Sequence, residues 1–262
     1  EMKKILYIGI ILMLASCGAD ATEIATSNQP DGTDTTEPSS GFIDERDGKF
    51  YKTVKIGEQV WMAENLAYRA NSGTYWDCKE LNCDKAPGYL YDWQTANNVC
   101  PTGWHLPDEE EWAVLMNNLG DNVGLKMKSK SGWCVNEDGI DGNGTNESGF
   151  NALPAGYYLL GNMRILKDYN TPKSGVCIHC NSMAKWWSSS FTEEYGEKMA
   201  WTYTLNCLDI EYMDQGEFKA GKKQKVWSSD YLKKEKSPTT KGRSPASVRC
   251  IKDNSKPESS GS

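Results

Sequence analysis

Nine cysteines carry most of the reactive chemistry in this chain. The first, Cys17, ends the run Leu14-Ala15-Ser16-Cys17, the pattern of a bacterial lipobox, behind a basic Met2-Lys3-Lys4 and an apolar stretch from Ile5 to Leu14. That stretch is about half the ~20 residues a helix needs to cross a bilayer. A cleaved lipoprotein signal over 1–16 and lipidation of Cys17 are therefore expected, with membrane anchoring supplied by the lipid alone. The other eight, Cys78, Cys83, Cys100, Cys134, Cys177, Cys180, Cys207 and Cys250, are an even set, which in an exported protein reads as disulfides. Cys100 stands just before a turn-to-helix junction and needs a distant partner to tie it down; Cys250, near the C-terminus, is the natural one. Local spacing pairs Cys78 with Cys83 and Cys177 with Cys180, which leaves Cys134 for Cys207.

Three further constellations could do chemistry. Cys177-Ile178-His179-Cys180 has the spacing of a redox or metal motif. Zinc would need a second cysteine pair or clustered histidines, and a thioredoxin-like site would need a strand-to-helix setting, so a structural clip is the expectation. Asp138, Asp141, Asn143 and Glu147 lie in a glycine-rich acidic loop whose oxygens suit a hard cation, calcium by preference. Their spacing is not that of an EF-hand, and the same side chains serve equally to cap their own backbone turn. Both readings stand. His105, between Trp104 and Leu106, has no nucleophile motif near it and is expected to be a hydrogen-bonded supporting residue rather than a base. No residue is assigned a catalytic role.

Composition narrows the partners. The chain has ten Trp and thirteen Tyr against five Phe, and rings with a polar handle suit surfaces that are half buried and half wet, as carbohydrate clefts are. Trp133, Tyr158, Trp186 and Trp227 are the candidate ligand-stacking rings, in the stretches Trp133 to Glu147, Tyr157 to Tyr158, His179 to Trp186 and Leu208 to Trp227, because loops on a cross-linked scaffold carry recognition; burial in the core is the alternative for each. A net charge of −7 without a basic patch excludes nucleic acid and gives no attraction to an anionic membrane surface.

Several elements must position these groups. Asp108 follows a proline and stands three residues before Glu111, the arrangement of a capping box, and Trp112, Leu115, Met116 and Leu119 then form one apolar stripe that Gly120 can close. Tyr91, Trp93, Ala96 and Cys100 suggest a helix just before it. Lys49 to Ile56 and Gln59 to Met62 flank Gly57-Glu58, a two-residue hairpin signal. Further strands are expected over Gly149 to Tyr157, Met163 to Leu166, Lys185 to Phe191, Met199 to Leu205 and Ser247 to Ile251. The polar, Lys-rich stretch Cys207 to Arg243 reads as a functional loop or insertion. The chain divides into the signal (1–16), a polar flexible tether (17–41) with too little apolar content to order itself, one domain (42–253) and a disordered tail (254–262).

The runs Asp47-Gly48-Lys49, Trp61-Met62-Ala63-Glu64-Asn65-Leu66, Cys100-Pro101-Thr102-Gly103-Trp104-His105-Leu106-Pro107, Gly149-Phe150-Asn151-Ala152-Leu153-Pro154-Ala155-Gly156, Trp187-Ser188-Ser189-Ser190 and Ser247-Val248-Arg249-Cys250 together resemble the Fibrobacter succinogenes major paralogous domain, over nearly the whole domain. The resemblance implies a branch of the C-type-lectin-like superfamily: an α+β fold with two helices, small antiparallel sheets and long loops, its ends paired in one sheet. It also implies the Cys100–Cys250 bond, and a lipoprotein of the kind found in Bacteroidetes and Fibrobacteres, on the cell envelope and most naturally its outer membrane. No Glu-Pro-Asn or Trp-Asn-Asp tripeptide occurs, so calcium-mediated sugar binding of the lectin kind is in doubt. The expected function is a binding module for carbohydrate or a surface protein. Alternatives are an enzyme akin to the formylglycine-generating ones, whose reactive cysteine pair has no clear counterpart here, or a purely structural surface protein.

Overall fold

The computed structural model describes residues 40–253 except 82, 84–85, 136–138, 140, 160–175, 208–209, 212–224, 228–231 and 240–243. Cys17 and its lipobox, most of the tether, the tail, Asp138 and the stretch Met163 to Leu166 lie outside the described residues. All described residues fall in one compact unit, Pro38–Ser262. None of the described helices is long and apolar enough to cross a membrane.

Local chemistry sets the first sheet. Strands β1 (Gly41–Asp44), β2 (Lys49–Ile56) and β3 (Gln59–Met62) form an antiparallel meander. Gly57 takes a φ of 60°, as the first position of a tight hairpin demands, and Ile56 pairs with Gln59. After β4 (Tyr75–Trp76) come α1 (Cys78–Leu81), β5 (Leu90–Tyr91), α2 (Trp93–Ala96) and β6 (Trp104–His105). The helix expected between Tyr91 and Cys100 shrinks to one turn, because Tyr91 is committed to β5 and Asp92 caps the chain at Thr95 N–H. Helix α3 (Glu109–Leu119) has the full capping box: Asp108 accepts from Glu111 N–H at 2.8 Å and Glu111 accepts from Asp108 N–H at 2.9 Å. Short α4 (Val123–Met127) follows.

The remaining elements are β7 (Tyr157–Leu159), β8 (Val176–Ile178), β9 (Met183–Glu194), β10 (Glu197–Asn206), β11 (Ile210–Glu211), β12 (Lys225–Trp227), β13 (Lys233–Pro238), β14 (Ala246–Ser247) and β15 (Ile251–Lys252). The stretch Gly149 to Tyr157 is mostly loop rather than strand, since Gly149 and Asn151 both sit at positive φ and cannot extend. Part of the expected Lys-rich loop is strand β13, on the edge of its sheet, where lysines are tolerated because one side of the strand faces solvent. One sheet runs β1-β2-β3-β15-β6 and the other β13-β10-β9-β14-β5-β4, with β11–β12 and β7–β8 as separate pairs. The pairings are antiparallel except β14 with β9, which is parallel. Helices are few and short, so the fold is α+β.

Helix α3 joins the two sheets. Its Trp112 stacks on Tyr203 of β10 with centroids 4.5 Å apart and lies 5.0 Å from Trp61 of β3, all three fully buried. Behind this cluster, Arg249 is fully buried and makes no direct ion pair among the described residues. Its guanidinium donates to Asn65 Oδ1, Met62 O, Phe150 O and Asn151 O and lies 4.4 Å over the Phe150 ring. Complete burial lowers its pKa to about 9, against the opposing charge of Glu64, and the guanidinium is still charged at neutral pH, its donors held by carbonyl dipoles. Asn65 is saturated as well: its amide donates to Pro87 O and Ser247 Oγ, and its oxygen accepts from Trp186 Nε1 and Arg249 Nε. Thus the segments 62–66, 150–151, 186 and 247–249 are knotted by one hydrogen-bonded centre.

Disulfides finish the scaffold. Cys100 is bonded to Cys250 and Cys134 to Cys207. The two local pairings expected from spacing are wrong: the bonds are Cys78–Cys177 and Cys83–Cys180. Cys78 and Cys83 face the same way across the turn of α1, whose Cys78 carbonyl accepts from Cys83 N–H, and β8 with its following turn lies opposite. The four cysteines therefore make two rungs between segments nearly a hundred residues apart in sequence.

Candidate functional site

A cleft gathers residues from two loops and a short helix. The β1–β2 turn contributes Arg46 and Asp47, the loop after β3 contributes Tyr68 to Gly73, and α2 with its flanks contributes Asp92, Gln94, Thr95, Asn98 and Val99. Two adjoining lobes, of about 360 and 380 Å³, share Arg46, Tyr68 and Asn71; Tyr89 and Arg69 line the second. Each lobe alone is within the ~300–1,000 Å³ usual for small-ligand sites.

The loop that forms the wall has no regular secondary structure, and buried tyrosines hold it. Tyr51 OH accepts from Ala67 N–H at 3.0 Å, and Tyr91 OH donates to Tyr68 O at 2.8 Å. Burial pushes both phenols well above their ordinary pKa, so they keep their protons. Gly73 is required where the loop meets α2: its φ is 96°, a Cβ there would collide with Thr95 Oγ1, and that same hydroxyl accepts from Thr74 N–H at 2.8 Å.

Charge at the cleft is already spent. Arg46 donates from Nε and Nη2 to the two oxygens of buried Asp44, at 2.8 and 2.7 Å, and from Nη1 to Val99 O at 2.8 Å. Its guanidinium lies 3.8 Å over the Tyr68 ring. Burial works to raise the Asp44 pKa, but the Arg46 hydrogen bonds and charge outweigh it and hold the carboxyl below its usual range. Asp92 is buried and used as the α2 cap. By contrast, Asn71, Ser72 and Gln94 are exposed, and their side chains make no hydrogen bond among the described residues. The cleft therefore offers partly exposed tyrosine rings and uncharged donors and acceptors. The one exposed carboxylate among the described lining residues is Asp47, at the rim of the second lobe.

The candidate sites read from sequence fall elsewhere. Trp133, Tyr158 and Trp186, expected as ligand-stacking rings, are buried, and their faces are closed to a ligand. Trp133 donates its indole N–H to Ala152 O at 2.8 Å, Trp186 donates to Asn65, and Tyr158 stacks on Trp76 at 5.0 Å. Trp227 lies in β12, and its side chain is outside the described residues. In the acidic loop, the Asp141 carboxylate accepts from both the backbone and the amide of Asn143, and Asn143 Oδ1 accepts from Trp133 N–H. These oxygens cap their own turn, Glu147 is exposed, and no group of three or more His, Cys, Asp and Glu side chains converges among the described residues.

His105 sits in β6 between two carboxylates, with Nδ1 2.5 Å from Asp253 Oδ1 and Nε2 2.8 Å from Glu111 Oε1. Partial desolvation opposes the imidazolium, but the bonds to Asp253 and then Glu111 outweigh it and raise the pKa above its ordinary value. Both ring nitrogens are occupied. His105 therefore ties the segment just after β15 to the start of α3.

Neither sequence periodicity nor a short motif marks the Arg46 cleft. Residues 54–252 match the model of the Fibrobacter succinogenes major domain, and the chain belongs to that family. No curated protein and no solved structure matches it.

Proposed function

We propose that this member of the family is a recognition module held to the bacterial cell envelope, on the outer membrane, by a lipid on Cys17, and that its Arg46–Tyr68 cleft binds carbohydrate. The observation that carries the reading is the division of labour at the cleft. Arg46 is engaged with Asp44 and Arg69 with Tyr89, while the tyrosine rings are partly exposed and the amide side chains open, which suits holding a sugar by ring stacking and hydroxyl hydrogen bonds. A C-type-lectin-like arrangement is part of the proposal, supported by the terminal strands β1 and β15 sharing one sheet and by the Cys100–Cys250 bond. An enzyme of the formylglycine-generating kind would need a reactive thiol, and all eight cysteines of the described region are in disulfides.

The test is a glycan array probed with the full-length chain in detergent, alongside Tyr68→Ala. Binding that the substitution weakens while the thermal unfolding midpoint stays within a few degrees supports the reading. A chain that binds no glycan, or binds equally well without the Tyr68 ring, sinks it. The anchor is tested separately, by metabolic labelling with a clickable fatty acid: Cys17→Ala should abolish incorporation.

A further inference from the structure

The geometry points to an uncharged glycan chain of at least two sugar rings, lying across both lobes of the cleft, as the ligand. This rests on the reading of the cleft as a carbohydrate site and adds the charge and the length of what it takes.

The charge follows from how the cleft's cations are used. An acidic sugar, uronate or sulfated, needs a guanidinium or ammonium that can turn toward it. Arg46 cannot: two of its nitrogens are fixed on Asp44, the third on Val99 O and, at 3.5 Å, Cys100 O, and one face is against Tyr68. Arg69, at the second lobe, donates from Nε to Tyr89 OH at 3.2 Å. Freeing either would strip a bond that shapes the wall. Asp47 lines the same lobe, and the chain as a whole carries −7, so a polyanion meets repulsion on approach. What remains open, the Asn71 and Gln94 amides and the Ser72 hydroxyl, can both donate and accept, which matches hydroxyl groups and gives no advantage to an anion.

The length follows from the two lobes. They meet at Tyr68 and Asn71, with Gln94 in the first lobe alone and Tyr89 in the second alone. A single ring can satisfy one set of groups; a chain of two or more can use both and share the Tyr68–Asn71 ridge between them.

Binding of neutral glucan, xylan and mannan oligosaccharides of one to six rings to the full-length chain, against polygalacturonate and heparin, tests both parts, with Gln94→Ala and Tyr89→Ala as single-lobe variants. The expected result is a neutral ligand whose affinity rises at least about tenfold from one ring to two or three, and falls about threefold to tenfold in each variant, the range one lost hydrogen bond gives. Because Tyr89 also packs on Tyr75, Tyr89→Phe serves as the folding control and should lose only the hydroxyl's share. Tighter binding of the acidic polymers, or a monosaccharide bound as well as the longer chains, or sensitivity to one variant alone, overturns this inference and leaves the carbohydrate reading intact. No binding by any of them overturns both.

Discussion

Two arginines organise this molecule, and they do opposite work. Arg249 is fully buried, feels the Glu64 carboxylate only through space and spends its donors on Asn65 and three backbone carbonyls drawn from distant segments. Arg46 keeps 29 % of its side-chain surface in solvent, is neutralised by Asp44 two residues away and borders an open cleft. The first fixes where the chain goes; the second shapes what it can touch. The difference also shows why the family's most specific runs say little about ligand. Trp61 to Leu66 and Ser247 to Cys250 carry the buried knot, so their pattern reports a shared scaffold, whereas the cleft depends on loop residues outside those runs.

The contrast is broken most severely at the disulfide that locks the scaffold. Replacing Cys100 and Cys250 together by Ser opens a loop spanning 150 residues, for which the chain-entropy model assigns about 5 kcal/mol. Denaturant unfolding should show most of that loss; a midpoint close to wild type would mean that the packing around α3 suffices alone. Next comes Arg249→Met. It strands the carbonyl acceptors of Met62, Phe150 and Asn151, each worth roughly 1–3 kcal/mol when unsatisfied, so a loss of at least about 3 kcal/mol is expected by the same measurement. On the cleft side, Asn71→Ala or Gln94→Ala should change stability by less than about 0.5 kcal/mol, as surface substitutions generally do, while weakening the ligand. A cleft variant that unfolds the protein would erase the distinction between the two regions.

Much of the scaffold was legible in sequence because its signals are local. The β2–β3 hairpin is announced by Gly57-Glu58, and α3 by Asp108 and Glu111; both need only a few neighbouring residues to be right. The cross-bonding of Cys78 and Cys83 to Cys177 and Cys180 was not legible, since which segment faces α1 is decided by tertiary packing. Spacing alone favoured the shorter loops. Nor was the fate of the tryptophans. An indole with one polar atom serves a core as readily as a cleft, provided its N–H finds a carbonyl or amide, and those of Trp133 and Trp186 do. The cleft itself escaped because Arg46 and Tyr68 lie on different loops and Gln94 on α2, and they share no period or motif.

The smallest expected effect separates the two regions by pH. For His105 the folded pKa is raised, so its tie to Asp253 and Glu111 contributes fully below the ordinary value of 6.5 and is lost as pH rises through the folded pKa. For Asp44 the folded pKa is lowered, so its grip on Arg46 is complete above 3.8 and is lost as pH falls through the folded pKa. Alkali thus loosens the C-terminal strand at α3, and acid loosens the cleft wall. The histidine side chain is 42 % exposed, which limits its contribution to well under about 1 kcal/mol. Thermal unfolding of wild type and His105→Asn should therefore differ by a few degrees at most near pH 6, and the gap should close toward pH 9. The Asp44→Asn variant should instead match wild type only at strongly acidic pH and lose ligand affinity at neutral pH, because Arg46 is then free to leave Tyr68. If the His105→Asn gap widened with rising pH, the imidazole would be stabilising the fold in its neutral form, and the assignment of both ring nitrogens to carboxylates would be wrong.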